Sequence, residues 1–195
     1  MQRLNQCDST FKDEVMAEPG GENLIRCYSC GTCMATCLIR RQDPDYNPRR
    51  ILRMAMLGLR EQVLGSHLIW RCSACDECYE HCPQGIRISD LFKAFRTIAL
   101  RQGYSPPGPI ARVNERTCVA CGLCVEVCPY DAVELVQKRV LGHEKTVAQV
   151  NTALCMSCGV CAASCRSASI DLLDYSDETL LQHLQQQLQA IEVAV

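Results

Sequence analysis

The chain has 195 residues, 17 of them cysteines, and only disulfide scaffolds and metal-binding proteins reach such a density. The formal net charge of −2 disfavours nucleic-acid binding, and an aromatic content of 5% is thin for two ordinary cores. The sequence shows neither a secretory signal nor an apolar run approaching the roughly 20 residues of a membrane span. Composition therefore predicts a cytoplasmic protein, at most peripheral to a membrane through its partners, whose thiols bind metal.

One cysteine pattern, C-x2-C-x2-C-x3-C, occurs four times along the chain. The four runs are Cys27, Cys30, Cys33 and Cys37; Cys72, Cys75, Cys78 and Cys82; Cys118, Cys121, Cys124 and Cys128; and Cys155, Cys158, Cys161 and Cys165. This is the ligand spacing of bacterial ferredoxins, in which three closely spaced thiolates bind one 4Fe-4S cluster and the fourth binds the neighbouring cluster. Four runs therefore predict four clusters.

The same cysteines could bind zinc or form disulfides, but both alternatives explain their spacing less well than iron-sulfur clusters do. Structural zinc normally takes two separated cysteine pairs, which leaves the third thiol of every run without a role. A disulfide framework fits neither a reducing cytosol nor this spacing. Cys7 lies outside every run, and we interpret it as a free thiol rather than a ligand.

The residue after the second cysteine of each run is expected to adopt a left-handed backbone, because the loop must turn tightly around the cluster. Gly31, Gly122 and Gly159 occupy this position in three runs, and glycine adopts that conformation without a steric cost. Asp76 occupies it in the second run and tolerates the same geometry better than most residues.

Two amphipathic helices are predicted in the first half. Asn47 can cap a helix that begins at Pro48 and ends at Gly65, and Ser89 can cap another that ends before Gly103. Their apolar positions are Ile51, Ala55 and Leu59 in the first helix and Leu91, Phe92, Phe95 and Ile98 in the second. Both helices are expected to pack around the clusters.

Short strands are predicted in the second half, after the stiff proline-rich segment 104–109. The segments 111–118, 132–136 and 145–155 alternate apolar and polar residues, and a one-turn helix is expected after each run. The tail from Ser176 predicts a capped helix with one apolar face. Its apolar residues are Leu180, Leu181, Leu184, Leu188 and Ile191.

Six arginines crowd the segment beside the first run: Arg40, Arg41, Arg49, Arg50, Arg53 and Arg60. They can offset the negative charge of clusters or dock an acidic partner. A merely solvated helix face explains any one of them equally well.

The first half, residues 20–103, resembles the C subunit of heterodisulfide reductase, an α-helical ferredoxin. The resemblance rests on CYSCGTCMATC, on the helix NPRRILRMAMLGL and on WRCSACDECYEHCPQGI. Residues 110–195 resemble the C-terminal ferredoxin domain of the flavin-bearing A subunit of the same system, through CVACGLCVEVCPYDAVEL and NTALCMSCGVCAASC. Leu38 and Arg166 depart from Pro83 and Pro129, which follow the other fourth cysteines. Arg166 brings a cation beside Cys165, which can favour reduction of the cluster there; an arginine that points into solvent and has little influence is the open alternative.

The resemblance implies a fold and a domain order. The expected fold class is a mainly α N-terminal helical ferredoxin module, an α+β two-cluster bacterial ferredoxin module and a C-terminal helix. The expected parts are an N-terminal extension (1–20), an α-helical ferredoxin domain (21–103), a Pro/Gly linker (104–109), a bacterial-type ferredoxin domain (110–175) and a docking helix (176–195).

The resemblance also implies crossed ligation, in which the fourth cysteine of each run serves the cluster of its neighbour. The four ligand sets are Cys27, Cys30, Cys33 and Cys82; Cys72, Cys75, Cys78 and Cys37; Cys118, Cys121, Cys124 and Cys165; and Cys155, Cys158, Cys161 and Cys128. The sequence contains neither an adjacent Cys-Cys pair nor a G-x-G-x-x-G motif. We therefore expect iron as the only metal, no flavin or nicotinamide on this chain, and no catalytic residue.

These observations predict an electron-transfer subunit of a heterodisulfide reductase-like complex in an anaerobe. The subunit would relay single electrons between a flavin-bearing A-type subunit and a catalytic B-type subunit, with a hydrogenase or dehydrogenase module as a further candidate partner. Two alternatives stay open: a diffusible polyferredoxin, and the iron-sulfur subunit of a membrane-linked quinone reductase or hydroxyacid dehydrogenase. A redox sensor is less well supported, because no output element is apparent in the sequence.

Overall fold

A computed structural model describes residues 7–173, 175 and 177–193. The chain divides into two compact units, of which the first ends at Pro107 and the second begins at Gly108. Helices form the first unit as far as it is described, whereas the second combines short helices with two small antiparallel sheets.

Seven α-helices are described in the first unit, with 3₁₀ turns at Leu24–Arg26 and His67–Trp70. They are α1 (Phe11–Ala17), α2 (Thr32–Thr36), α3 (Leu38–Gln42), α4 (Pro48–Met56), α5 (Arg60–Leu64), α6 (Glu77–Glu80) and α7 (Ile88–Arg101). Most are short, because the cysteine runs repeatedly interrupt the chain.

Helix α4 begins as predicted and ends earlier than predicted. The Asn47 side chain accepts a hydrogen bond from the backbone N–H of Arg50 at 3.1 Å, and Pro48 takes the first helical position. Gly58 then adopts a φ of +73°, so the single helix expected as far as Gly65 is wrong. The carbonyl of Gly58 accepts a bond from the N–H of Asp8 at 2.8 Å, and a Cβ here would lie 2.3 Å from the Asp8 carbonyl oxygen. This close approach of a distant segment, which only glycine permits, separates α4 from α5.

Helix α7 has the predicted apolar face and a different N-terminus. Arg87 is the N-cap residue, so the predicted cap at Ser89 is wrong. Ser89 lies inside the helix, and its hydroxyl donates instead to the carboxylate of Asp76 in the second cysteine run. The predicted apolar positions are confirmed, since Leu91, Phe92, Phe95 and Ile98 are fully buried.

The core of the first unit extends from α1 to α7. Phe11 and Val15 of α1 are fully buried in it, so part of the segment predicted as an N-terminal extension contributes to this core. The rings of Phe11 and Phe95 lie 6.5 Å apart, and the Arg60 guanidinium lies 4.8 Å from the Phe11 ring centroid. Arg60 also bridges Asp8 at 2.7 Å and Glu14 at 2.5 Å, which holds α1 against α5.

Two antiparallel strand pairs build the second unit. Strand β1 (Ala111–Val113) pairs with β4 (Ile170–Leu172), with Arg112 opposite Asp171, and β2 (Val133–Val140) pairs with β3 (His143–Val150), with Val136 opposite Val147. Strand β4 was not among the predicted strands, although Ile170 and Leu172 alternate around a polar residue. The predicted one-turn helices are misplaced, because α8 (Leu123–Glu126) and α9 (Val160–Ala163) lie within the runs rather than after them.

The C-terminal helix α10 (Asp177–Val193) matches the prediction in position. Its leucines Leu181, Leu184 and Leu188 are each about 60% exposed, so the apolar face does not pack against the second unit. The predicted cap Ser176 and the side chain of Ile191 lie outside the described residues. None of the helices in the described part of the chain combines the length and hydropathy that a membrane span requires.

Candidate metal centres

Four separate cavities are lined by cysteines, and each receives thiols from two runs. Their volumes are about 370, 380, 360 and 300 Å³, from the first to the fourth. The first is lined by Cys27, Cys30, Cys33 and Cys82; the second by Cys33, Cys37, Cys72, Cys75 and Cys78; the third by Cys118, Cys121, Cys124 and Cys165; and the fourth by Cys128, Cys155, Cys158 and Cys161. The fold thus brings three thiols of one run together with the last thiol of its neighbour. Cys7 is exposed and lines none of these cavities.

The backbone of each run turns through two left-handed residues. The predicted position after the second cysteine is confirmed, with φ values of +93° at Gly31, +79° at Gly122, +77° at Gly159 and +56° at Asp76. The residue before the second cysteine is also left-handed, which was not predicted. These residues are Ser29, Ala74, Ala120 and Ser157, with φ between 52° and 62°. Their shared small size was the available signal, since left-handed backbone is costly for bulky side chains.

Backbone N–H groups face the sulfur of three of the four last cysteines. The Sγ of Cys82 accepts from the N–H of Ile86 at 3.4 Å, and the Sγ of Cys128 accepts from that of Ala132 at 3.3 Å. Cys165 shows the same arrangement with Ser169, described below. Cys37 differs because the chain enters α3 directly after it, and its carbonyl takes the bond from Arg41 at 3.4 Å. Donors of this kind orient a thiolate and stabilise its negative charge.

The electrostatics of the buried thiols show the same crossed grouping. Burial, followed by the charges of Cys27, Cys30 and Cys82, raises the pKa of Cys33 to about 11. Burial likewise raises the pKa of Cys124, with further contributions from Cys118, Cys121 and Cys165. The pKa of Cys161 is raised by burial and by Cys155, Cys158 and Cys128. Four thiolates can therefore share one cavity only when a positive charge such as iron offsets their repulsion.

Tyr46 lines the second cavity, and Arg96 binds the backbone carbonyl of Cys72 beside it; neither residue belongs to a cysteine run, and neither was predicted from the sequence. Tyr46 is 1% exposed, it lines this cavity together with Cys72, and its hydroxyl is placed to donate to that thiol, which acts against the burial that raises the pKa of Cys72. Burial, then the charges of Cys72 and Cys37, raises the pKa of Tyr46 far above its usual range, so the hydroxyl remains a donor.

The buried guanidinium of Arg96 fixes the backbone at the start of the second run. It donates to the carbonyl of Ile69 at 2.8 Å and to the carbonyl of Cys72 at 3.0 Å. Burial lowers the pKa of Arg96, whereas the charge of Cys72 raises it. The one signal in the sequence was an arginine placed among the apolar positions of α7, between Phe92 and Ala99.

The surroundings of Cys165 include groups that were not predicted, and the effect of Arg166 on the reduction potential stays a prediction. Arg166 is exposed, and the groups on the Cys165 sulfur are the Ser167 hydroxyl at 3.6 Å and the N–H of Ser169 at 3.2 Å. Burial raises the pKa of Cys165, but these hydrogen bonds outweigh it, and the net shift is downward. The two serines that follow this cysteine therefore stabilise negative charge on its sulfur, a role that was expected of Arg166.

The donor set of each cavity fits a 4Fe-4S cluster, which is held by four thiolates. The walls of each cavity are chiefly apolar apart from the thiols and the backbone amides. Among the described residues, no three His, Cys, Asp or Glu side chains converge on one point that could hold a single metal ion.

Two family models, both described as a 4Fe-4S dicluster domain, match this chain. One matches residues 23–86, and the other matches residues 71–132 and 117–169. Together the matches include all four cysteine runs.

Several proteins of methanogenic archaea are similar to this chain. It is 34% identical over 105 residues to the C subunit of the H(2):CoB-CoM heterodisulfide,ferredoxin reductase of Methanothermobacter thermautotrophicus, covering 54% of this chain and 56% of that protein. It is 44% identical over 96 residues to the iron-sulfur C subunit of the CoB–CoM heterodisulfide reductase of Methanopyrus kandleri, covering 49% and 50%. The chain thus spans about half the length of these two relatives.

A third relative is matched over more of its length. The C subunit of the ferredoxin:CoB-CoM heterodisulfide reductase of Methanosarcina mazei is 35% identical over 122 residues, which is 63% of this chain and 71% of that protein. With its 4Fe-4S dicluster domains, the chain belongs to the family of heterodisulfide reductase C subunits.

Proposed function

We propose that this chain is the electron-transfer subunit of a heterodisulfide reductase-like complex and carries four 4Fe-4S clusters, one in each cysteine-lined cavity. The observation that carries the proposal is the crossed lining, in which three thiols of one run meet the fourth thiol of another in all four cavities. A protein with sixteen thiols arranged in this way can hold four redox centres and leaves no thiol of the runs for a substrate.

Each cluster, when bound, accepts and releases one electron at a time. The residues of the protein bind the clusters and set their surroundings. The thiolates hold the iron, the apolar walls exclude water, and the N–H groups of Ile86, Ala132 and Ser169 face the ligand sulfurs. A hydrogen-bond donor or a cation beside a thiolate favours the more negative reduced state, so these groups set the order of the reduction potentials.

The partners follow from the family. The relatives are named as C subunits of enzymes that act on the CoB-CoM heterodisulfide, two of them with ferredoxin. We infer that this protein exchanges electrons with a flavin-bearing A-type subunit and a catalytic B-type subunit. A hydrogenase or dehydrogenase module is a further candidate. The exposed leucines of α10 support a component of a complex over a diffusible polyferredoxin, because a free protein gains nothing from such a face.

Anaerobic reconstitution with counting of iron and sulfide tests the cluster assignment. The full chain should take up about 16 irons and about 16 sulfides. Cys82→Ala and Cys165→Ala should each remove one cluster, from the first and the third cavity respectively, and the matched control Cys7→Ser should remove none. Stoichiometric zinc with little acid-labile sulfide would overturn the proposal.

Assays of the purified chain test its role. The loaded chain should exchange electrons with redox dyes and should turn over no heterodisulfide alone, whereas the complex purified anaerobically with its partners should do so. Steady heterodisulfide reduction by the chain without partners would contradict an electron-transfer role.

A further inference from the structure

An open cleft of about 1050 Å³ lies beside the first cysteine-lined cavity. Its lining includes Tyr28 and Cys27 on one side, and Arg49, Arg50 and Arg53 of α4 on the other. We refer to it as the arginine cleft. Its volume exceeds that of any of the four thiol cavities described above, and it is open to solvent rather than enclosed.

Four described arginines of the first unit form salt bridges, whereas those of the arginine cleft do not, and neither do Arg26, Arg40 and Arg41 among the described residues. Arg60, Arg71, Arg87 and Arg101 each form a salt bridge with an acidic side chain of the same unit. Within the described residues, Arg49, Arg50 and Arg53 form no such bridge, and Arg50 and Arg53 are exposed. The arginine cleft therefore concentrates positive charge that the fold itself does not neutralise.

The placement of these arginines is unfavourable for the helix that carries them. Arg49 and Arg50 lie in the first turn of α4, which contains no acidic residue. The N-terminus of a helix carries a partial positive charge, so cations there destabilise it. A charge arrangement that costs stability locally is expected to serve an interaction elsewhere.

The arginine cleft is also continuous with the wall of the first cavity. Cys27, Tyr28 and Ser29 line both, and so does Arg49, whose guanidinium lies across Gly31 of the first run. A redox centre brought to the cleft would be separated from the first cavity only by this loop. Since electron transfer slows steeply with distance, the cleft is a suitable place for electrons to enter or leave.

The composition of the surface favours a protein over a small anion. Tyr28 and Met54 both line the cleft, and Tyr28 is 59% exposed. Arginine, tyrosine and methionine are enriched in protein–protein interfaces, and arginine and tyrosine are frequent among the residues that dominate binding energy. A site for a small anion has no need of exposed apolar side chains at its rim.

The geometry points to the arginine cleft as the docking site for an acidic surface of a redox partner protein, which exchanges electrons with the cluster of the first cavity. This inference rests on the proposed function, because it assumes a cluster held by Cys27, Cys30, Cys33 and Cys82. Arg50 and Arg53 would contact carboxylates of the partner, and Tyr28 would pack against its surface.

Charge reversal tests the docking site in the cluster-loaded full chain. Arg50→Glu combined with Arg53→Glu should weaken binding of one purified partner, the A-type or the B-type subunit, by about tenfold at about 50 mM salt and should flatten the salt dependence of its Kd. Glutamate at position 50 is favoured in the first turn of a helix, so the exchange does not threaten α4. Lys12→Glu combined with Arg41→Glu makes the same change of net charge at exposed positions outside the cleft and should leave Kd within about twofold.

A photo-crosslinking amino acid at position 53 identifies what sits in the cleft. In the assembled complex, the expected adduct joins position 53 to an acidic segment of the same partner, and a crosslinker at position 12 should not form it. Equal Kd values for the cleft and control variants, or crosslinks confined to this chain, would overturn the docking site.

Iron counts and EPR spectra separate this inference from the proposed function. If the charge-reversed chain holds four clusters and binds both partners as the wild type does, the docking site is wrong and the proposed function stands. If the wild-type chain binds neither partner, the proposed identity of the partners is wrong, and so is the docking site.

Discussion

The hydroxyl of Tyr46 is the best placed single group for testing how this protein sets a cluster potential. It is fully buried, it is placed to donate to the Cys72 thiol, whose pKa it lowers, and its ring lies 6.1 Å from that of Phe92. Tyr46→Phe removes the hydroxyl and keeps the ring, so the packing of the second cavity is preserved. We expect the midpoint potential of the cluster bound by Cys72 to fall, because the reduced state loses a donor that stabilises its extra negative charge.

The size of the shift follows from the energy of the hydrogen bond. Bonds to charged groups contribute about 1.5–3 kcal/mol, and only the part that changes on reduction affects the potential. If the bond strengthens by about 1 kcal/mol on reduction, the midpoint falls by about 40 mV when it is removed, since about 59 mV corresponds to a tenfold change in equilibrium constant for one electron.

Tyr28 provides a matched control within the same unit. Its hydroxyl is placed to donate to Cys30 in the first run, whose pKa it lowers, but Tyr28 is 59% exposed, and water can replace this donor. An EPR-monitored redox titration should therefore show a smaller shift for Tyr28→Phe than for Tyr46→Phe. Titrations of Tyr46→Phe that superimpose on the wild type, or a raised midpoint, would refute the reasoning.

Four further predictions concern the fold, the thiols and the tail. Phe11→Ala should lower the free energy of unfolding of the first unit by about 3–5 kcal/mol, because a fully buried ring is lost from the core. Chemical denaturation measures this change, and a clearly smaller value would contradict the prediction. In the iron-free chain at about pH 8, Cys30 should be alkylated faster than Cys33, since a hydrogen bond from the Thr32 side chain lowers the pKa of Cys30 and burial raises that of Cys33 to about 11. Mass spectrometry measures the order of alkylation, and the reverse order would refute this reasoning. The folded iron-free chain retains the Cys33 proton that the unfolded chain releases near pH 9, so its stability should fall as the pH rises from about 9 to about 11. Truncation after Tyr175 should weaken assembly with the partners and leave the iron content unchanged, and unaltered co-purification would contradict a role for α10 in docking.

Local patterns in the sequence were enough to predict the features that depend on neighbouring residues. The spacing of the cysteines predicted the turn after each second cysteine, because a loop that closes around a cluster needs left-handed backbone at a defined position. Asn47 and Pro48 predicted the start of α4, since capping involves only the first turn. The apolar residues of α7 predicted its buried face, because helical periodicity and burial coincide in a helix that crosses a core.

Tertiary structure decided the features that depend on residues distant in sequence. The segment around Asp8 approaches Gly58 and divides the predicted helix, and Asp76 takes the hydroxyl of Ser89 away from the helix end. Strand β4 exists because β1, far earlier in the chain, offers its free edge. Tyr46 lies at the thiol of Cys72 and Arg96 donates to its backbone carbonyl, and the chain supplies these two residues from before and after the second run. Cysteine spacing specifies which atoms can bind iron, but the groups that surround the sulfur are chosen by packing, and packing is settled only when the whole chain has folded.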